Sequence, residues 1–284
     1  YAEAKRKLFH WSDLKAVVLN VDDAFGQRLA AELAAQPLAL IGYGVGAVED
    51  YPAGTLVATD PIFDHSGIRA TVVYGQETGL LQAPVLGQFN LHNLLAALGV
   101  LLLAKGVPFH AALQRLQAVW VVPGRMERVI STPLSDRLVV VDYAHTPGAL
   151  QQVLKAVRVH TRGRLLCVFG CGGDRDRGKR PLMSKIAESD ADVVIVTDDN
   201  PRSENPQQIF EDIMQGIHNK ASVTFEHDRA QAIRLAIRQA QPGDTVLIAG
   251  KGHETVQILA HGTVPFDDRL QAAQALQALQ ACGV

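Results

Sequence analysis

The run Thr197-Asp-Asp-Asn-Pro-Arg202 follows a β-branched apolar segment, Asp192 to Val196. A segment of that kind reads as a buried parallel strand. It would deliver Asp199, Asn200, Pro201 and Arg202 to the carboxyl edge of an open α/β sheet, where such sheets bind ligands. Asn200 brings an amide that donates and accepts, and Arg202 a planar fork of donors matched to a carboxylate. The chemistry these types point to is capture of an amino acid. The competing account is an Asn-Pro turn followed by a solvated arginine.

Two glycine-rich loops also follow apolar runs. Phe169-Gly-Cys-Gly-Gly-Asp-Arg-Asp-Arg-Gly-Lys-Arg-Pro181 lies between a strand and a helix that Pro181 can start. Arg175 stands where a dinucleotide fingerprint needs glycine, which disfavours hydride transfer. The loop's four cations suit an anionic ligand beside a helix N-terminus, or else a mobile charged loop. Ala249-Gly-Lys-Gly-His-Glu254 is not a Walker A motif, because six residues separate Gly243 from Gly250 and Gly252 replaces the magnesium-binding Ser or Thr. Gly250 can admit a ligand close to the backbone and Glu254 can pair with an ammonium; a plain strand-turn-strand is the alternative.

Three further clusters suit a nucleotide. In Asp142-Tyr-Ala-His-Thr-Pro147, Asp142 can accept from ribose hydroxyls and His145 can pack on a base, although Asp142 or Thr146 can equally cap a helix. Asn90 and Asn93 share a helix face at i and i+3 and can read an adenine edge, or serve as caps. Arg125, in Pro123-Gly-Arg-Met-Glu127, sits at a domain boundary where it can meet a triphosphate, or form an ordinary surface ion pair.

The elements that must position these groups divide into two sets. Up to residue 121 the sequence gives a basic helix, a strand at Ala16 to Asn20 and a helix around Gly26 to Ala35. Strand-like runs at Leu38–Ile41, Thr55–Ala58, Arg69–Tyr74 and Leu81–Leu86 follow, then helices near Asn90–Lys105 and Phe109–Ala118. Val121-Val-Pro-Gly124 reads as a linker. From residue 122 to 284 the alternation is regular. Strands at 138–141, 165–169, 193–196, 223–226 and 245–249 interleave with helices at 148–159, 181–188, 206–217, 229–240 and 269–279, the pattern of a Rossmann-like, mainly parallel sheet.

At 284 residues, 48% of them hydrophobic, the chain can build two cores. Its 27 basic and 29 acidic residues nearly cancel, which argues against a nucleic-acid or membrane-surface partner and for small molecules. Cys167, Cys171 and Cys282 form neither a disulfide framework nor a zinc pattern, so a reducing, cytoplasmic setting is expected. Leu94 to Ala104 is too short to cross a bilayer and reads as a core helix. Tyr1 and the immediate entry into a helix suggest a piece of a longer protein.

Taken in order, Tyr1-Ala-Glu-Ala-Lys5, Asn90-Leu-His-Asn93, Pro123-Gly-Arg-Met-Glu127, Asp142-Tyr-Ala-His-Thr-Pro147, Gly170-Cys-Gly-Gly-Asp-Arg-Asp176, Asp199-Asn-Pro-Arg202 and Gly250-Lys-Gly-His-Glu254 resemble the motifs of the Mur ligases, in the branch that adds meso-diaminopimelate. The resemblance implies an α/β chain, the rear of a central ATPase domain (1–121) followed by a carboxyl-terminal amino-acid-binding domain (122–284). It implies a monomeric enzyme using ATP and Mg2+ to join meso-diaminopimelate to the D-Glu of UDP-MurNAc-L-Ala-D-Glu through an acyl phosphate. Lys5 would be carbamylated and support magnesium. Asn90, Asn93, Arg125, Asp142 and His145 would surround ATP, and Arg175, Asp199, Asn200, Pro201, Arg202, Gly250 and Glu254 would line the amino-acid site. The arginine of the Asp-Asn-Pro-Arg motif would answer a distal carboxylate that lysine lacks. The chain departs from the family in having no Gly-x-x-x-x-Gly-Lys-Ser/Thr. The phosphate cradle and UDP-binding domain are therefore expected outside it, and the chain alone is expected to be inactive. Folylpolyglutamate synthesis and a non-catalytic amino-acid-binding module are the other readings.

Overall fold

The computed structural model describes residues 2–130, 136–219, 221 and 223–281, so Tyr1 and Cys282 lie outside the described residues. The chain separates into two compact units, residues 1–120 and 121–284.

The first unit opens with α1 (Ala2–Arg6) and a 3-10 turn at Lys7–His10. There follow β1 (Ala16–Asn20), α2 (Ala24–Leu33), β2 (Ala39–Val45), β3 (Leu56–Asp64), β4 (Gly67–Tyr74), β5 (Glu77–Ala83), α3 (Gln88–Lys105) and α4 (Phe109–Leu116). Its sheet runs in the order β1-β2-β3-β4-β5, with the first three strands parallel and the last three antiparallel. The register slips between Thr59 and Ile62, around Pro61, which has no N–H to give to the ladder. Asp23 caps α2 by accepting from the Phe25 and Gly26 amides. Leu29 and Leu33 of that helix pack with Val17 and Leu19 of β1. On α3, Leu91, Leu94, Leu95 and Leu98 are buried at helical spacing.

The sequence placed the last strand at 81–86, whereas β5 is 77–83. Its polar start, Glu77-Thr-Gly79, is exposed or half-buried and carries no apolar signal, yet it pairs with β4 through Tyr74↔Glu77.

The second unit comprises β6 (Glu127–Arg128), β7 (Leu138–Asp142), α5 (Pro147–Arg158), β8 (Leu165–Phe169), α6 (Lys179–Asp190), β9 (Val193–Thr197), α7 (Pro206–Met214), β10 (Val223–Glu226), α8 (Arg229–Gln239), β11 (Thr245–Ala249), the hairpin β12 (Val256–Leu259) and β13 (Gly262–Pro265), and α9 (Asp268–Ala281). The order of the main sheet is β10-β9-β8-β11-β7-β6, parallel except for β6. The three central strands β8, β11 and β7 are buried along their whole length, which is why they read as unbroken apolar runs rather than alternations.

Alternate residues of these strands, among them Val139, Val141, Leu166, Val168, Val246 and Ile248, pack on Ala232, Ile233, Ala236 and Ile237 of α8 and on Ala272, Ala275 and Leu276 of α9. The alanines let both helices lie close to the sheet. Helices α5, α6 and α7 pack in sequence on one another. Sequence reading missed β6 and the β12/β13 hairpin, and it started α6 at Pro181 where the helix begins at Lys179. Among the described residues no helix is long and apolar enough to cross a membrane.

Candidate functional site

Parallel pairing fixes where the polar loops of the second unit emerge. Ala249 lies level with Asp142, Ile248 with Val168, and Phe169 with Val196, so the loops after β7, β8, β9 and β11 leave the sheet side by side at one edge.

The loops after β9 and β11 are bonded side chain to side chain. Asn200 Nδ2 donates to Glu254 Oε2 at 2.9 Å, while Asn200 Oδ1 accepts from Lys251 Nζ at 2.9 Å and from the Ile258 amide at 2.9 Å. Lys251 Nζ also donates to Glu254 Oε2 at 3.1 Å. Both Asn200 and Lys251 are buried. Burial pushes the Glu254 carboxyl up, but the Asn200 bond, Lys251 and the nearby Arg202 outweigh it and hold its pKa below the ordinary glutamate value. Glu254 is thus kept as an anion at a half-buried edge.

Asp199, beside them, is pushed up by burial against the pull of Arg229 and Lys251. Gly250 has φ +122°, and a Cβ there would stand 2.5 Å from Asp199 Oδ2. Only glycine fits that turn.

Arg202 has a left-handed backbone, φ +55°, and its amide donates to Ile258 O at 3.0 Å. The backbone bond turns the side chain back over the loop after β8. There Nη1 donates to Gly173 O at 2.9 Å and Asn200 O at 3.3 Å. Pro201, buried in the same turn, accepts the Glu204 amide through its carbonyl. Among the described residues no acidic side chain pairs with Arg202. Arg175, in contrast, is exposed and among the described residues donates only to its neighbour's carbonyl, Asp174 O, at 3.2 Å.

The loop after β7 differs. Asp142 accepts from the Met126 amide at Oδ2, 2.8 Å, and from the Ala144 amide at Oδ1, 2.7 Å. Burial raises its pKa against those two amides and Arg125. Thr146, not Asp142, caps α5, accepting from the Ala149 amide at 3.4 Å. The Arg125 guanidinium lies 4.9 Å over the Tyr143 ring, which also meets the rings of His145 and His253. His145 Nδ1 bonds to Tyr143 O at 2.7 Å. The segment Pro123-Gly-Arg-Met126 is a docked part of the second unit, not a free linker. Gly124 lies so close to the loop after β11 that a Cβ would fall 2.1 Å from His253 N.

In the first unit, Asn90 and Asn93 do share a face of α3. Asn93 Nδ2 donates to Asn90 Oδ1 at 3.0 Å, and Asn90 Nδ2 donates to Leu86 O at 2.7 Å. Lys5 is exposed on α1, next to Arg6, which forks onto Glu32 at 3.0 and 2.6 Å.

Comparison with known proteins identifies the family. The model of the Mur ligase middle domain matches residues 1–101, and that of the Mur ligase glutamate ligase domain matches residues 124–252. The chain belongs to the Mur ligase family. It is similar to the UDP-N-acetylmuramoyl-L-alanyl-D-glutamate--2,6-diaminopimelate ligases of Coxiella burnetii (46% identity over 97% of this chain) and Ectopseudomonas mendocina (47% over 99%). It spans 56% of the length of each. A solved structure with the same ligase name superposes with a TM-score of 0.78 at 40% identity, covering 99% of this chain and 56% of that one. The Mur ligase middle and carboxyl-terminal domains therefore account for the α/β fold, with its mainly parallel second sheet.

Sequence reasoning gave no role to Lys251, Arg229 or Gln257: both cations are fully buried, and Gln257 Nε2 donates to Asp199 O at 2.8 Å. It counted Arg180 among the cations of an anion-binding loop, whereas Arg180 is fully buried and paired with Glu204 and Asp212. Arg180 had a legible signal: with Met183, Ser184 and Ala187 it forms the i, i+3, i+4, i+7 stripe of α6 that faces inward.

Proposed function

We propose that these residues belong to an ATP-dependent ligase that joins meso-diaminopimelate to the D-Glu side chain of UDP-MurNAc-L-Ala-D-Glu. The observation that carries this reading is that a guanidinium and an ionised carboxylate, not bonded to each other, are held at one sheet edge. Arg202 has two backbone carbonyls holding one nitrogen, and Glu254 is anchored through one oxygen. Together they suit a ligand bearing both a carboxylate and an ammonium. The relatives' names supply the substrate class. Arg175, exposed on the adjoining loop, would add a second carboxylate contact.

In the proposed reaction the γ-phosphoryl group of ATP passes to the D-Glu side-chain carboxylate, giving ADP and an acyl phosphate. A neutral amine of diaminopimelate then attacks the acyl carbon, loses its proton, and expels inorganic phosphate. Asn90 and Asn93 would face adenine, with Asn93 keeping its carbonyl and Asn90 part of its amide for that purpose. Arg125, Asp142 and His145 would serve the rest of the nucleotide. Asp142 can do so only through the remaining lone pairs of oxygens already given to buried amides.

A carbamate on Lys5 would turn a cation into an oxygen donor. Mg2+ takes six oxygens in octahedral array, several of them from water and phosphate, so one carbamate is a partial set. Among the described residues no group of three or more His, Cys, Asp or Glu is placed to hold an ion. These residues do not form a metal site by themselves. The chain also carries no Walker A sequence, so it is expected to bind the amino acid without turning ATP over. Free, buried Cys167 and Cys171, both with pKa pushed up to about 12 by burial, fit a cytoplasmic setting.

The test is ADP release by the whole protein with UDP-MurNAc-L-Ala-D-Glu as acceptor. Dependence on meso-diaminopimelate, with little on L-lysine, is expected. Turnover that requires a folate instead would overturn the assignment.

A further inference from the structure

Lys251 has a fully buried side chain in a loop of two glycines at the mouth of the proposed amino-acid site, and no role has yet been assigned to it. A buried ammonium needs compensation, and three features show what provides it. Its two polar partners are Asn200 Oδ1 and Glu254 Oε2, and Asp199 also acts on it through charge. Asn200 is thereby saturated at oxygen, by Lys251 and the Ile258 amide, and commits its own amide to the same Glu254 oxygen. Glu254 Oε2 thus receives two donors, while Oε1 accepts no hydrogen bond among the described residues.

We infer that Lys251 is a positioning residue for substrate binding: with Asn200 it fixes Glu254 by one oxygen so that the other is presented to the ammonium of the incoming amino acid. Asn200 is then a clamp between the β9 and β11 loops and touches the ligand at most through its remaining amide hydrogen. A carboxylate free to rotate would lose ordering entropy on each binding event; a clamped one does not.

The inference rests on the amino-acid-binding reading, and the experiment separates the two. Binding of meso-diaminopimelate to the full chain is measured by calorimetry for wild type, Lys251→Met, Glu254→Gln and the double variant, each with its thermal midpoint. In the whole protein, KM and kcat are measured for the same set. Lys251→Met is expected to weaken binding at least about tenfold and to raise KM for the amino acid, leaving KM for ATP unchanged. In the Glu254→Gln background the same substitution should cost less than about threefold, because its target is already gone. Full additivity of the two losses, or normal affinity in Lys251→Met, would overturn the inference. Absence of binding by wild-type chain and whole protein alike would instead remove the functional reading beneath it. If Lys251→Met does not fold, Lys251→Gln, which keeps a donor for Asn200, is read in its place. Failure of both to fold makes Lys251 a purely structural residue and refutes the assignment.

Discussion

Arg180 and Glu204 face each other with two parallel hydrogen bonds, Nη1 to Oε1 at 2.8 Å and Nη2 to Oε2 at 2.7 Å, and Arg180 is fully buried. The same guanidinium reaches Asp212 at 2.7 Å and Gly172 O at 3.2 Å, and Glu204 also accepts from Arg177 and from the Asp174 amide. One pair therefore ties α6, α7 and the loop after β8 to the turn that carries Arg202. Removing Arg180 takes the buried partner from both Glu204 and Asp212, although Glu204 keeps Arg177 and the Asp174 amide; breaking a buried pair costs about 3–5 kcal/mol.

Arg180→Met should lower the unfolding free energy by that amount in urea titrations, and it should also change the acid dependence. Arg180 holds the Glu204 pKa down to about 2, against an ordinary value of 4.5. A depressed folded pKa gives stability that is complete above about pH 4.5 and is lost as pH falls through about 2. Stability curves from pH 6 to 2 should be steeper for wild type than for Arg180→Met. Parallel curves would mean that Glu204 does not owe its low pKa to Arg180.

Asp142 and Arg125 should separate, although both are proposed to meet the nucleotide. Each Asp142 oxygen accepts a buried backbone amide, and an orphaned amide costs about 1–3 kcal/mol. Asp142→Ala should therefore destabilise the chain by roughly 2–6 kcal/mol. Arg125 is exposed and stacks on Tyr143, so Arg125→Ala should leave the thermal midpoint within about a degree or two while raising KM for ATP in the whole protein. An unchanged KM would return Arg125 to a surface role.

Gly250→Ala tests the β11 loop. The added methyl meets Asp199 Oδ2 at 2.5 Å in a backbone of φ +122°, and strain of this kind costs about 1–3 kcal/mol. The variant should fold with reduced stability and bind amino acid more weakly. Normal affinity would show that Asp199 and Gly250 stand apart from the ligand.

What the sequence disclosed and what it hid have the same physical origin. Strands β8 and β11 are where the apolar runs put them, because burial on both faces of a parallel sheet demands unbroken hydrophobicity. The motif loops were legible because they follow those strands. Hidden were the groups whose meaning depends on partners distant in sequence. Lys251 meets Asn200 51 residues away, and Arg229 meets Asp268 39 residues away. A buried, paired cation has the same letter as a solvated one, and periodicity betrays it only where it falls on an inward stripe, as Arg180 does. Chemical type and the resemblance of its motif suggested a ligand role for Asn200, but neither disclosed that its oxygen is spent on Lys251 and Ile258. Hairpin β12/β13 was missed since it is short and mostly exposed or half-buried.

Arg202 is proposed to carry the choice of amino acid, and its hydrogen bonds suggest how. Its Nη1 is held by the carbonyls of Gly173 and Asn200, and the rest of the fork has no acidic partner among the described residues. The guanidinium is thus oriented before any ligand arrives, and a distal carboxylate gains charge-assisted bonds worth about 1.5–3 kcal/mol each without an ordering cost. L-Lysine offers no such group. In the whole protein, Arg202→Ala should lower kcat/KM for meso-diaminopimelate by about two orders of magnitude and affect the slow reaction with L-lysine far less. Arg175→Ala, at an exposed residue without a fixed seat, should cost less, about tenfold or under. Because Arg202 has a left-handed backbone, a glycine variant gives the control: Arg202→Gly relieves the φ +55° strain yet removes the same fork. Equal losses for both amino acids in both variants would mean that Arg202 supports the turn and does not read the distal carboxylate.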